Sequence, residues 1–173
     1  MENGPYSISE INALTVEEFL RVIGPAFEHS PWIAGKAAAL RPFANLEKLH
    51  RELCEIVSSA PGEKQIALIQ AHPDLVGRAF FRETLTPEST REQTNAGLGR
   101  LTQPEIELFQ EFNAAYHKKF GFPFVICARL NKKEAILSGF SLRLKNPRDL
   151  EITTALDEIF KIAYLRLQDV VRS

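Results

Sequence analysis

His72, Ser89, Glu92, Gln93 and Arg166 are the residues of this 173-residue chain whose types and spacing could do chemistry. His72 opens the run His72-Pro73-Asp74-Leu75-Val76-Gly77. Pro73 cannot continue a helix and pushes the residue before it out of the α region, so His72 is expected at or just past a helix C-terminus. Thr86-Pro87-Glu88 then carries the marks of a new helix: a capping hydroxyl, a proline suited to the first position, and an acid at the positive end of the dipole. In that helix Ser89, Glu92, Gln93 and Ala96 fall on one face at spacings of three, four and seven. The opposite face, with Thr90, Arg91, Thr94 and Asn95, is more polar still. Were the first face solvated, the helix would have little to bury, whereas lining a cavity gives it a reason to fold. A histidine on a helix break and an acid on a polar helical face are the pieces of cofactor-free acid–base catalysis. Each also has a plainer use, His72 as a helix-end residue bonded to carbonyls and the polar face as solvated surface.

Arg166 raises a different question. Ile152, Leu156, Ile159, Ala163, Arg166 and Val170 follow one another at three and four residues, which puts a guanidinium in an apolar stripe. An unpaired charge there is costly. It either snorkels to solvent, pairs with an internal carboxylate, or awaits the carbonyl or carboxylate oxygens of a ligand. Of the two buried outcomes, the ligand is the expected partner.

Other chemistries fit poorly. His29, His50 and His117 make no metal-ligand spacing with His72, and there is no HExxH. Ser89 lacks a nucleophile-elbow setting, and no glycine-rich phosphate loop is present. Cys54 and Cys127 are far apart and outside any CxxC pattern, which is simplest in a reducing compartment. The net charge of −1, with acids and bases interspersed, offers no nucleic-acid surface. No apolar run reaches membrane-spanning length. The first dozen residues lack the basic and apolar regions of a signal peptide, and the last three residues are not a peroxisomal tripeptide, so a cytoplasmic location is expected.

The elements that must position these residues are helical. Thr15 to Glu18 is a capping box for a helix through Phe19 and Ile23, and Ser30-Pro31 opens a second, running to about Ala38. Asn45 caps a third, striped by Leu46, Leu49, Leu53, Ile56 and Val57. A fourth carries Ile66 and Ile69 and ends at His72. After the polar-faced helix, Thr102 to Glu105 is another capping box, for a helix lined by Ile106, Phe109, Phe112 and Tyr116 and stopped by Gly121. Asn131 and Glu134 cap a helix holding Ile136, Leu137 and Phe140, and Asn146-Pro147 opens the longest, from about Leu150 to Val171. Between them Phe122-Pro123-Phe124-Val125-Ile126-Cys127-Ala128 is apolar, β-branched and too short for a helix. It predicts a buried extended segment, either plain core or one whose backbone groups a planar, amide-rich ligand could partner. The expectation is an all-α, single-domain bundle of about eight helices over residues 1–173, with residues 1–12 loosely ordered.

Taken together, His72 to Leu75, Thr84 to Ser89, Glu92-Gln93 with Ala96-Gly97-Leu98, Asn113 to Tyr116 and Lys119 to Val125 resemble the OHCU decarboxylases. Arg41-Pro42-Phe43 and Lys161 to Leu167 are similar to that family as well. The likeness runs from about Leu14 to Val170. It implies conversion of 2-oxo-4-hydroxy-4-carboxy-5-ureidoimidazoline (OHCU) to (S)-allantoin and CO2 in urate degradation, without cofactor or metal. It implies His72 and Glu92 as catalytic residues. It also implies Pro73, Ser89, Gln93, the backbone of Phe124, Val125, Ile126, Cys127 and Ala128, and Arg166 as substrate contacts. A small-molecule substrate, no nucleic acid, no membrane and a homodimer complete the expectation. A different class stays open, because His-Pro-Asp alone resembles the turn of J-domain co-chaperones: a helical module binding a chaperone ATPase. Lacking a ligand set, the chain should keep any lyase activity after dialysis against a strong chelator. Activity that is lost and returns with a divalent ion would show otherwise.

Overall fold

A computed structural model describes residues 5–77 and 84–172. Nine α-helices occur among the described residues: α1 (Ile8–Ala13), α2 (Val16–Ile23), α3 (Pro31–Ala38), α4 (Leu46–Ser58), α5 (Gly62–Gln70), α6 (Pro87–Asn95), α7 (Gln103–Phe120), α8 (Lys133–Arg143) and α9 (Arg148–Val170). Short 3-10 turns follow α2, at Gly24–Ala26, and precede α8, at Ala128–Leu130. The β pairing among the described residues is one isolated parallel bridge, Tyr6 to Val171. The expected all-α class is what the fold shows. The chain forms two compact units, Met1–Leu68 with Phe160–Ser173, and Ile69–Ile159.

Helix starts follow the caps. Thr15 and Thr102 each accept from the backbone three residues on, while Glu18 and Glu105 return the bond to the cap. The same reciprocal box, Ser7 with Glu10, starts α1. Loose order over residues 1–12 is therefore corrected from Tyr6 onward: Tyr6 donates to Val170 O at 2.6 Å and Arg172 donates to Tyr6 O at 2.8 Å. The expected Asn131 cap is corrected too. Lys132 is the N-cap of α8, and the Asn131 side chain turns back to Cys127 O at 3.0 Å.

In the first unit α3 packs on α2 and α4, burying Phe19, Ile23, Ile33, Ala37, Leu49, Leu53 and Val57. Asn12 exchanges two 2.8 Å hydrogen bonds with the Phe43 backbone, satisfying an irregular stretch from a helix. Arg166 lies in this unit, 5 % exposed, and its Nη1 is 2.8 Å from Glu28 Oε2 and 3.1 Å from Pro25 O. The expectation that a ligand alone would balance Arg166 is thus corrected: the protein supplies a carboxylate, itself buried, from the turn after α2. No periodic signal marks Glu28, since it lies outside any helix.

The second unit is built on an aromatic cluster. Phe109, Tyr116, Phe120, Phe122, Phe124 and Phe140 are buried side by side, and the Phe124 and Phe140 rings stack with centroids 3.8 Å apart. Gly121 ends α7 at φ 79°, the left-handed conformation that only glycine takes readily, and so directs Phe122 back into the cluster. Residues 123–127 belong to no helix or strand and are mostly buried, while Ala128, expected in the same segment, opens the 3-10 turn.

The Arg166–Glu28 pair generates a stability prediction. Removing one partner of a buried pair typically costs roughly 3–5 kcal/mol, because the other charge is stranded. Arg166→Met should therefore lower the melting temperature by on the order of 10 °C, and adding Glu28→Leu should recover much of it. An unchanged melt for Arg166→Met would remove this pair from the stabilising interactions.

Candidate active site

His72 follows α5 at the expected helix end; its amide donates to Ile69 O at 3.1 Å and its side chain is buried. Pro73 and Asp74 are half-buried, and Leu75 and Val76 are buried. The turn that follows is tight. Val76 has φ 54°, a left-handed conformation costly for a β-branched residue. At Gly77 a Cβ would come within 2.7 Å of Asp74 Cβ and 3.2 Å of Asp74 O, so the position excludes a side chain.

The next wall is α6. Thr86 caps it, accepting from Ser89 N at 3.2 Å. Ser89, Glu92 and Gln93 are buried at 5 %, 7 % and 2 % exposure, while Thr90, Arg91, Thr94 and Asn95 are exposed. The more polar face points to solvent and the face carrying the acid points inward, as the spacing argument requires.

Gln93 joins the two walls. Its Oε1 accepts from Val76 N at 3.1 Å, and its Nε2 reaches Asp74 O at 3.5 Å. The turn bearing His72 is thereby held to the face bearing Glu92. A third wall is the extended segment. The 3-10 turn that ends it packs on α6, and the Cys127 thiol feels the Glu92 carboxylate. Burial is the main cause that pushes that thiol up; a hydrogen bond from the Leu130 backbone opposes it, and the Glu158 and Glu92 carboxylates add to the rise. Ala96 shares the Glu92 face, and with Asn95 it lines a cavity of about 340 Å³ whose other side runs from Ala128 to Lys132. Glu92, Cys127 and Ala128 thus belong to one neighbourhood.

The backbone of this segment finds protein partners for groups that a ligand could also have met. Cys127 N donates to Glu158 Oε2 at 2.8 Å, and Val125 O accepts from Arg143 Nη1 at 2.6 Å. Arg143 is paired with the fully buried Glu151 and lies 4.3 Å above the Phe124 ring. These groups fix the segment's position before any ligand arrives.

Sequence reasoning gave no role to Arg143, and named Asn113 only within a family motif, although the signal used for Arg166 was present at both. Arg143 continues the stripe of Ile136 and Phe140, and Asn113 falls between Phe109 and Tyr116. His117 and Glu158 carry no such signal. Among the described residues no group of three or more His, Cys, Asp or Glu is placed to hold a metal ion. Burial pushes the Cys54 thiol up to about 12, which makes it a poor nucleophile at neutral pH. The Arg166 guanidinium lies in the other unit, held as described above.

Fold and site define a helical protein in which a buried histidine, glutamate and amide groups are brought together by a turn and the inward face of α6. The sequence profile of the family described as OHCU decarboxylase matches residues 12–168, and the chain belongs to that family. It is 42% identical over 163 residues to the 2-oxo-4-hydroxy-4-carboxy-5-ureidoimidazoline decarboxylase of Amia calva, covering 94% of this chain and 93% of that one. It is 40% identical over 166 residues to the uric acid degradation bifunctional protein PucL of Bacillus subtilis, covering 96% of this chain and only 33% of that longer protein. Among solved structures, an (S)-allantoin synthase superposes with a TM-score of 0.80 at 24% identity, over 98% of this chain and 55% of that one. An OHCU decarboxylase crystallised in the presence of (S)-allantoin superposes at 0.68 and 23% identity, over 88% of this chain and 95% of that one. At those identities the superpositions speak for the fold. Nothing in these matches supports the co-chaperone alternative, and here the His-Pro-Asp aspartate is engaged within the fold, 2.6 Å from His117 Nε2.

Proposed function

We propose that this chain is a carboxy-lyase that converts OHCU to (S)-allantoin and CO2 in urate degradation, with His72 and Glu92 as the acid–base pair. The observation that carries this is the buried polar face of α6 bonded to the turn that bears His72. Family membership supplies the substrate: the Amia calva relative is named for this decarboxylation.

The chemistry suits those groups. The substrate carbon bearing the carboxylate also bears a hydroxyl and neighbours a C=N bond. When its bond to the carboxylate breaks, CO2 departs and the electron pair moves into the C=N system, leaving an enol-like intermediate. The nitrogen that receives the pair takes up a proton, the hydroxyl proton leaves, and the neighbouring carbon gains a proton from one face, so that one proton is consumed overall. Histidine, the residue type whose unperturbed pKa lies near neutrality, suits the transfers at the hydroxyl and the carbon. Glu92 fixes its tautomer and raises its basicity, or stores the proton. Ser89, the second amide hydrogen of Gln93 and the backbone of Phe124 to Ala128 orient the substrate beside Pro73.

In this role the chain acts as one functional domain, without cofactor, and as a homodimer. Cys54 and Cys127 are both free thiols, which supports a cytoplasmic setting.

Stereochemistry tests the proposal. Unassisted decay of OHCU yields racemic allantoin, since water protonates either face. With this protein present, circular dichroism of freshly generated OHCU should show faster loss of substrate and accumulation of the S product. A racemic product formed at the unassisted rate would exclude the lyase.

A further inference from the structure

We propose that Asn113 and His117, both on α7, are positioning residues that set the direction of His72 without touching the substrate. This rests on the acid–base role given to His72 above.

Three successive residues after Pro73 are gripped by side chains from two helices. The Asp74 carboxylate lies 2.6 Å from His117 Nε2. Leu75 O accepts from Asn113 Nδ2 at 2.8 Å, in a buried bond. Val76 N donates to Gln93 Oε1 at 3.1 Å. Gln93 belongs to the α6 face that carries Glu92, so α7 supplies the grip independent of that face. Such a turn needs holding. Val76 sits in a left-handed conformation that its branched side chain disfavours, and surrounding bonds must over-determine it.

Asn113 is an expensive way to fill its place. It is 6 % exposed and lies in the stripe of Phe109, Tyr116 and Phe120, where a leucine would pack without polar atoms. Its Oδ1 is buried with no hydrogen-bond partner among the described residues. Turning the amide over would set that oxygen against Leu75 O, acceptor to acceptor, so the orphan follows from keeping Nδ2 on the turn. A buried unsatisfied group in a native fold calls for a reason, and the Leu75 carbonyl is the one present. Pro73 transmits the constraint. Its ring fixes one backbone dihedral between Asp74 and His72, so a turn pinned at Asp74 and Leu75 leaves the imidazole little freedom.

Asn113→Asp keeps the shape and removes the donor; His117→Leu and His117→Gln remove and partly restore the bond to Asp74 at a side chain 43% exposed, where folding is not at stake. Steady-state kinetics on OHCU and the hydrogen exchange of the Val76 amide are measured on each. Asn113→Asp should lower kcat at least about tenfold with KM within about threefold, because groups that bind substrate stay in place while the proton-transfer geometry is lost. The Val76 amide should exchange at least about tenfold faster. His117→Leu should move both quantities the same way and His117→Gln should recover most of the loss. Wild-type kcat in both Asn113→Asp and His117→Leu overturns the proposal. So does a fall in kcat with unchanged Val76 exchange, or faster exchange with unchanged kcat. Should Asn113→Asp fail to fold, the two His117 variants decide. Wild-type protein that leaves OHCU decay unchanged removes the lyase assignment and the positioning role with it, whereas an active wild type with unaffected variants removes the positioning role alone.

Discussion

The second unit depends on an exchange between side-chain amides and an irregular turn. Residues 74–77 form no helix or strand, so their backbone groups need partners from elsewhere. Gln93 and Asn113 are buried on helix faces where apolar side chains would ordinarily go, so their amides need partners too. Each need meets the other at Leu75 and Val76. The result places a histidine-bearing turn against a helix face that carries a buried glutamate.

A similar device recurs with charge in place of amides. In each unit a buried arginine pairs with a buried glutamate and also donates to a backbone carbonyl outside the α-helices: Arg143 with Glu151 and Val125 O, Arg166 with Glu28 and Pro25 O. A buried ion pair is weak evidence for net stability, because desolvation offsets most of the Coulomb gain. Its use here is geometric. A planar guanidinium spans a carboxylate and a carbonyl at once, and so locks a non-helical stretch to a helix. For the extended segment this fixes the backbone at Val125, next to the residues that line the cavity.

Much of this was legible from spacing within single elements. Capping residues placed α2, α4, α6 and α7 to within a residue, since a cap bond closes over three positions and is local. The inward polar face of α6 could be inferred because both faces were visible in one stretch of sequence. The Ser7 box was equally readable, yet α1 has only six residues and too little periodicity to stand out. What stayed hidden was pairing at a distance. Nothing in the sequence tells that Glu28 meets Arg166 or that His117 meets Asp74, 43 residues away. Periodicity reports which way a side chain faces within its own helix, not what stands opposite. For the same reason Arg166 was read as awaiting a ligand when the fold had a carboxylate for it.

The central claim is that the buried turn exists to present His72 for proton transfer. The most direct measurement is the turnover number of His72→Asn, whose side chain nearly preserves shape, made on protein shown by its thermal melt to be folded. General acid–base groups contribute on the order of a hundred- to ten-thousand-fold, and kcat should fall by at least the lower of these figures. A folded His72→Asn protein that turns over OHCU at the wild-type rate would contradict the account.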